Sequence, residues 1–182
     1  VLDELSHLLE KKEKKPVLLH GITGSGKTEI YMQVIEKVLQ KGQQAIVLVP
    51  EISLTPQMVE RFLSRFGEKV SVTHSRLNYG ERYDQWKKAK EKEISIMIGP
   101  RSALFMPFEN LGVIIIDEEQ EGSYHSDTTP KYDAREVAQQ ISHMTNCLLL
   151  LGSATPDLVT YHKAMTGQYH LLTLQKRTKG SH

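Results

Sequence analysis

Residues 113–116 and 148–151 are apolar at every position. A strand with one wet face alternates apolar and polar side chains. A run without alternation has to be covered on both faces, and in parallel sheets helices supply the cover. The rest of the chain repeats one rhythm of short apolar run, turn and amphipathic helix. Strands are also expected at 17–20, 45–49, 70–74, 94–98 and 169–174, with helices at 28–41, 54–66, 81–92, 134–144 and 156–165. This alternation predicts an α/β domain with a mostly parallel β-sheet and helices on both faces. Phe62 and Trp86 are the aromatic anchors expected to reach the core from their helices.

Composition narrows the class. The 182 residues hold 23 Lys plus Arg against 22 Asp plus Glu, a net charge of +1, which excludes a histone-like polycation and an acidic tail protein. A single cysteine, Cys147, excludes an intrachain disulfide framework and points to a reducing, cytoplasmic setting. No apolar run approaches a membrane span, so no membrane partner is expected. His7, His143 and His162 lack metal-ligand spacing, and Lys87, Lys88 and Lys90 read as a solvated helix face. Val1 in place of a methionine and the closing Lys179-Gly180-Ser181-His182 are read as signs of a portion of a longer protein. Residues 1–16 are taken as a flanking segment, 17–175 as the domain and 176–182 as a tail.

Gly21-Ile22-Thr23-Gly24-Ser25-Gly26-Lys27-Thr28 fits G-x-x-x-x-G-K-[ST] and lies between an expected strand and an expected helix. Glycines let the backbone curl until successive N–H groups face phosphate oxygens, and the helix start adds its positive dipole end. Lys27 is expected to reach the β- and γ-phosphates of ATP from an exposed position. Thr28 is expected to ligate Mg²⁺ through its hydroxyl.

The apolar strand 113–116 ends in Asp117, Glu118 and Glu119. Alone, three acids after a strand are an ordinary solvated turn. In a chain with a phosphate loop, they lie where open α/β sheets bind ligands. Asp117 then holds Mg²⁺, and Glu118 takes the proton of the attacking water. Gly152-Ser153-Ala154-Thr155-Pro156 follows the next buried strand. Ser153 and Thr155 can sense the γ-phosphate or bond to the acidic motif, or cap a helix with Pro156 at its first position.

These motifs together resemble superfamily-2 helicases. More narrowly, they resemble the first motor lobe of the PriA family of primosomal replication-restart helicases. The resemblance is carried by Leu18 through Tyr31, which contains the phosphate loop, and by Val49-Pro50-Glu51-Ile52-Ser53-Leu54-Thr55-Pro56-Gln57. It continues through His74-Ser75, Gly99-Pro100-Arg101-Ser102-Ala103-Leu104-Phe105, Asp117-Glu118-Glu119 and Gly152 to Pro156. It implies a RecA-like P-loop NTPase lobe, ATP bound between two such lobes, and a 3′-to-5′ DNA translocase. It also implies forked and single-stranded DNA and other replication-restart proteins as partners, with zinc-binding cysteines outside this chain. Three positions depart from the family pattern. Gln120 stands where a His is usual, which bears on motor coupling. Pro100 replaces a Thr, which bears on a DNA contact, and the stretch before Val17 shows no adenine-binding Gln motif.

A translocase grips a nucleic-acid backbone without reading sequence, using hydroxyls, amides and cations, with aromatic side chains for stacking. Ser53, Thr55 and Gln57, and Arg101 and Ser102, sit after strands on the expected ligand edge. The resemblance adds an aromatic-rich loop after the acidic motif, where Tyr124, His125, Lys131, Tyr132 and Arg135 fall. Gln120, Ser153 and Thr155 are the expected coupling residues between nucleotide and DNA. Two other readings stay open on sequence: a different P-loop NTPase such as a nucleotide kinase, or a nucleotide-dependent DNA-binding module without turnover.

Overall fold

The structure, a computed structural model, describes residues 1–22, 26–126 and 131–175. Seven strands form one sheet: β1 (Val17–Gly21), β2 (Gln44–Leu48), β3 (Val70–Val72), β4 (Ile96–Gly99), β5 (Leu111–Ile116), β6 (Leu148–Ser153) and β7 (His170–Leu174). Six helices accompany them: α1 (Leu2–Leu9), α2 (Lys27–Gln40), α3 (Pro56–Phe66), α4 (Tyr79–Lys90), α5 (Ala134–Thr145) and α6 (Leu158–Met165). The strand order is β3-β4-β2-β5-β6-β1-β7, and every pairing is parallel. All seven expected strands are present.

The unalternated runs behave as their composition requires. Every residue of β5 and β6 is buried. Val113, Ile115, Leu148 and Leu150 join the core beneath α1, α2 and α3, while Ile114, Ile116, Leu149 and Leu151 join the core on the α5 and α6 face. Period-two geometry sends neighbouring side chains to opposite faces, so an all-apolar strand feeds both cores at once.

Local signals fix the helix starts. Thr55 caps α3 by accepting from Met58 N at 3.2 Å, with Pro56 in the first turn. Asn78 and Glu81 form a reciprocal capping box on α4. Asp157 caps α6 by accepting from Val159 N at 2.9 Å, so neither Ser153 nor Thr155 is the cap and Pro156 precedes the helix.

Two features depart from expectation. The flank 1–16 contains α1, whose Leu5, Leu8 and Leu9 are buried in the core beside α2. Lys41 and Glu10 add an ion pair between the end of α2 and the end of α1. Trp86 is 38% exposed and does not anchor α4. It stacks on Tyr83 at 6.3 Å, lies beneath the Lys90 ammonium, and leaves Ala89 as the buried residue of that helix. Phe62 is fully buried, as expected.

Leu5→Ala tests whether α1 is part of the fold. The side chain is fully buried, so its loss should cost about 2–5 kcal/mol in denaturant unfolding. A change under about 0.5 kcal/mol, typical of a surface position, would make α1 an appendage.

Candidate nucleotide and DNA-binding site

Strand order gathers the predicted residues. β1 delivers the glycine-rich loop and β5 the acidic motif, with only β6 between them in the sheet. All three strands run the same way, so both motifs and Ser153 emerge on the carboxyl edge. Of the predicted phosphate-loop residues, Gly21, Ile22, Gly26, Lys27 and Thr28 are described; Thr23, Gly24 and Ser25 lie outside the described residues. Gly26 takes φ 94°, a left-handed conformation that favours glycine, and the chain turns there into α2.

Lys27, Thr28, Asp117 and Glu118 line one cavity of about 340 Å³, together with Glu29 and Arg61. Lys27 is not exposed as expected: it is 8% accessible. Its ammonium donates to the carbonyls of Gly21 at 2.5 Å and Ile22 at 3.3 Å. A charge held that far from water needs oxygen partners, and the loop's own backbone provides them.

The three acids of the motif have three different surroundings. Backbone bonds fix the turn: Asp117 N donates to Leu48 O at 2.9 Å and Glu119 N to Gly152 O at 3.1 Å. Asp117 accepts from the Tyr31 hydroxyl at 2.8 Å, and burial pushes its carboxyl above the usual range. Glu118 sits at φ 51°, a strained value for a side-chain-bearing residue, which aims it away from its neighbours and into the cavity. Glu119 is fully buried. It accepts from Asp157 N at 2.7 Å and from the Thr160 hydroxyl at 3.1 Å, and burial raises its pKa as well.

Gln120 carries a relay. Its amide nitrogen donates to Glu118 Oε2 at 2.8 Å, and its amide oxygen accepts from the Ser153 hydroxyl at 2.5 Å. Ser153 Oγ in turn accepts from Thr155 N at 3.0 Å. The three predicted coupling residues are thus joined in one chain of bonds ending on Glu118.

The predicted DNA residues divide. Thr55, Gln57, Ser102 and Lys131 are exposed, and Ser53 and Tyr132 are half-buried. Arg101 and Ser102 line a cleft of about 370 Å³ beside Pro50 and Glu51. Arg101 also donates to the carbonyls of Ser123 and His125, both at 3.0 Å, and lies 5.8 Å from the Tyr132 ring centre. Tyr124 corrects the expectation. It is 1% exposed, and its hydroxyl donates to the carbonyls of Asp117 and Leu48, so it braces the sheet edge from beneath and cannot stack on a base in this conformation. Arg135 is likewise internal to the site: it pairs with Asp133 at 2.7 Å and donates to Glu119 O at 3.1 Å.

Sequence reasoning missed Tyr31, Glu119 and the α3 arginines. Tyr31 follows Lys27 by four residues, one helical turn on the same face, and that spacing was available. Arg65 clamps α3 to α2 by reaching Glu29 at 2.8 Å and Glu36 at 2.6 Å, a contact between distant segments that no local pattern announces.

The DEAD/DEAH box helicase model matches residues 3–164, and the chain belongs to that family. Within this class it is similar to Replication restart protein PriA. It is 57% identical to that protein of Bacillus subtilis over 175 residues, covering 96% of this chain and 22% of the relative. It is 50% identical to the PriA of Synechocystis over 168 residues, covering 90% of this chain and 20% of the relative. The chain therefore spans about a fifth of the length of these relatives. The fold agrees with RecA-like helicase lobes. The Pyrococcus furiosus Hef helicase domain superposes with a TM-score of 0.66 at 19% identity, covering 98% of this chain and 38% of that one. A RecG chain bound to a three-way DNA junction gives 0.70 at 22%, covering 99% of this chain and 23% of that one. No helix among the described residues is long and apolar enough to cross a membrane.

The buried Asp117 carboxyl predicts a pH signature. Its folded pKa lies above the unfolded value, so protonation favours the folded state. The stability it contributes is complete below the ordinary Asp range near pH ~4 and is lost as pH rises through the raised folded value. Asp117→Asn, which can still accept from Tyr31, should therefore raise the melting temperature at neutral pH in metal-free buffer, and the gain should shrink towards pH ~3. A gain that stays constant with pH would mean that Asp117 ionisation does not cost stability.

Proposed function

We propose that this chain is the ATP-binding lobe of a DNA-dependent ATPase and 3′-to-5′ DNA helicase that acts in replication restart and primosome assembly. The observation that carries the reading is the single cavity lined by Lys27, Thr28, Asp117 and Glu118, with Glu118 tied through Gln120 to Ser153. Membership in a helicase family and similarity to PriA proteins support the DNA substrate.

Thr28 and Asp117 line one cavity and offer hard oxygen donors, which would suit Mg²⁺. Bound there, the ion neutralises charge on the phosphates. Lys27 releases its loop carbonyls to hold the β- and γ-phosphate oxygens. Backbone N–H groups at the start of α2 face the same anion. Glu118 accepts a proton from water as the water oxygen bonds to the γ-phosphorus and the bond to the ADP oxygen breaks. ADP and inorganic phosphate leave. Gln120 holds the Glu118 carboxylate by one oxygen, which orients the base and reports on the loop at Ser153.

The second lobe, forked and single-stranded DNA, other restart proteins and a cytoplasmic location belong to this reading. So does zinc bound outside the present chain. A second lobe supplies the arginine that stabilises the transferring phosphoryl group, an effect of about 10³–10⁵ in rate. The isolated lobe is accordingly expected to bind Mg-nucleotide weakly, with almost no DNA-stimulated turnover.

In the longer protein, Lys27→Ala should abolish ATP turnover, with circular dichroism confirming the fold. Glu118→Gln should retain Mg-ATP binding and slow hydrolysis by about 10² or more, as loss of a general base requires. Equal loss of nucleotide binding in Asp117→Asn and Glu118→Gln would contradict separate metal and base roles for the two acids. Turnover that ignores DNA but needs a phosphate acceptor would favour a kinase instead.

Gln120→Ala should leave ATP affinity within about threefold and diminish DNA stimulation, since it cuts the relay and not the phosphate contacts. Nucleotide titration and ATPase assays with and without single-stranded DNA read the two effects separately. Selective loss of nucleotide affinity would place Gln120 at the phosphates.

A further inference from the structure

We propose that Arg61 is a contact for the terminal phosphate of the nucleotide, supplied by this lobe itself. This rests on the nucleotide reading above and adds a residue to it. Arg61 lies in α3, outside every phosphate-loop or acidic motif, yet it lines the same cavity as Thr28, Asp117 and Glu118.

Its surroundings distinguish it from Arg65, one helical turn further along the same face. Arg65 is held by two carboxylates: both Glu29 oxygens lie 2.8 Å from its Nη1, and Glu36 lies 2.6 Å from its Nε. Glu29 is further occupied by Gln33 at 3.0 Å. Arg61 is close enough to Glu29 to lower its pKa, but no hydrogen bond or ion pair holds Arg61 among the described residues. A guanidinium on the wall of an acid-lined cavity, with the nearest carboxylate already taken, has its donors available for an anion entering that cavity.

The position selects which phosphate. The loop backbone and Lys27 are suited to the β-phosphate and the bond beyond it, whereas Glu118 has to stand beside water attacking the γ-phosphorus. Arg61 lines the same cavity as Glu118 and is not part of the loop that cradles the inner phosphates. The group it meets is therefore present in a nucleoside triphosphate and absent from the diphosphate. Because α3 begins at Thr55 and Pro56, next to the predicted DNA-contacting Ser53 and Gln57, the same helix joins phosphate recognition to the DNA loop.

Fluorescent ADP and a fluorescent non-hydrolysable ATP analogue, titrated with Mg²⁺ against this chain, test the assignment. Arg61→Ala should weaken the triphosphate about tenfold and leave the diphosphate within about twofold, as expected for one exposed charge-assisted contact. Arg61→Lys should recover part of the loss. An unchanged ratio in Arg61→Ala overturns the proposal while the nucleotide reading stands, provided Lys27→Ala weakens both ligands. If Lys27→Ala weakens neither, the nucleotide reading falls and Arg61 falls with it.

Discussion

The bond from the Tyr31 hydroxyl to Asp117 holds the site together. It joins the helix that follows the phosphate loop to the tip of the central strand that carries the acids. It fixes the register between α2, already packed on the core through Val34, Ile35 and Val38, and the acidic turn, and so the placing of Lys27 and Asp117 in one cavity. The space for the tyrosine is made by Gly152: a methyl group at that position would fall on the Tyr31 hydroxyl. Glycine is required there by close approach and not by backbone angle. Burial, reinforced by the neighbouring Asp117 carboxylate, raises the Tyr31 pKa and keeps the proton on the hydroxyl that donates.

Three consecutive acids have separate tasks because the backbone turns sharply between them. Asp117 continues the strand direction under Tyr31. Glu118 is thrown into the cavity by its positive φ. Glu119 points into the protein, where it receives Asp157 N and Thr160 and faces Arg135 at 3.8 Å. A buried carboxylate is costly without donors. Here the donors come from the start of α6, so the acid also fixes the loop that carries Ser153 and Thr155. Structural and chemical demands are divided between adjacent residues, and neither compromises the other.

The sheet and the phosphate loop were legible because their signals are local. Unalternated apolar runs report burial on two faces, and the glycine-rich pattern reports its own backbone. Failures occurred where the answer depends on distant residues. Trp86 is a large apolar side chain on a helix, which ordinarily means core, but α4 covers the β3–β4 edge and buries only a small residue there. Tyr124 reads as part of an exposed aromatic loop until the turn at Gly122–Tyr124 folds it beneath the edge. α1 has leucines at 2, 5, 8 and 9, a readable helical spacing, but residues 1–16 stand before the first expected strand and carry no motif, and so read as a flank. The Lys27 contacts and the Arg65 clamp link residues through three-dimensional proximity that no motif encodes.

The clamp has a mechanical consequence. Arg65 fastens α3 to α2 through two carboxylates, Glu29 in the first turn of the phosphate helix and Glu36 about two turns further on. The two helices then act as a single lever, with the Thr55 end at the sheet edge and the Thr28 end at the cavity. Such a fastening contributes little to stability because its groups face solvent, where exposed pairs are worth about 0–1 kcal/mol. Its importance is stiffness: force applied at one end arrives at the other with less lost to sliding between helices. Since ions screen exposed pairs, that stiffness falls as ionic strength rises. Salt would therefore soften transmission through the lobe even where it leaves the fold and the chemical groups of the cavity intact.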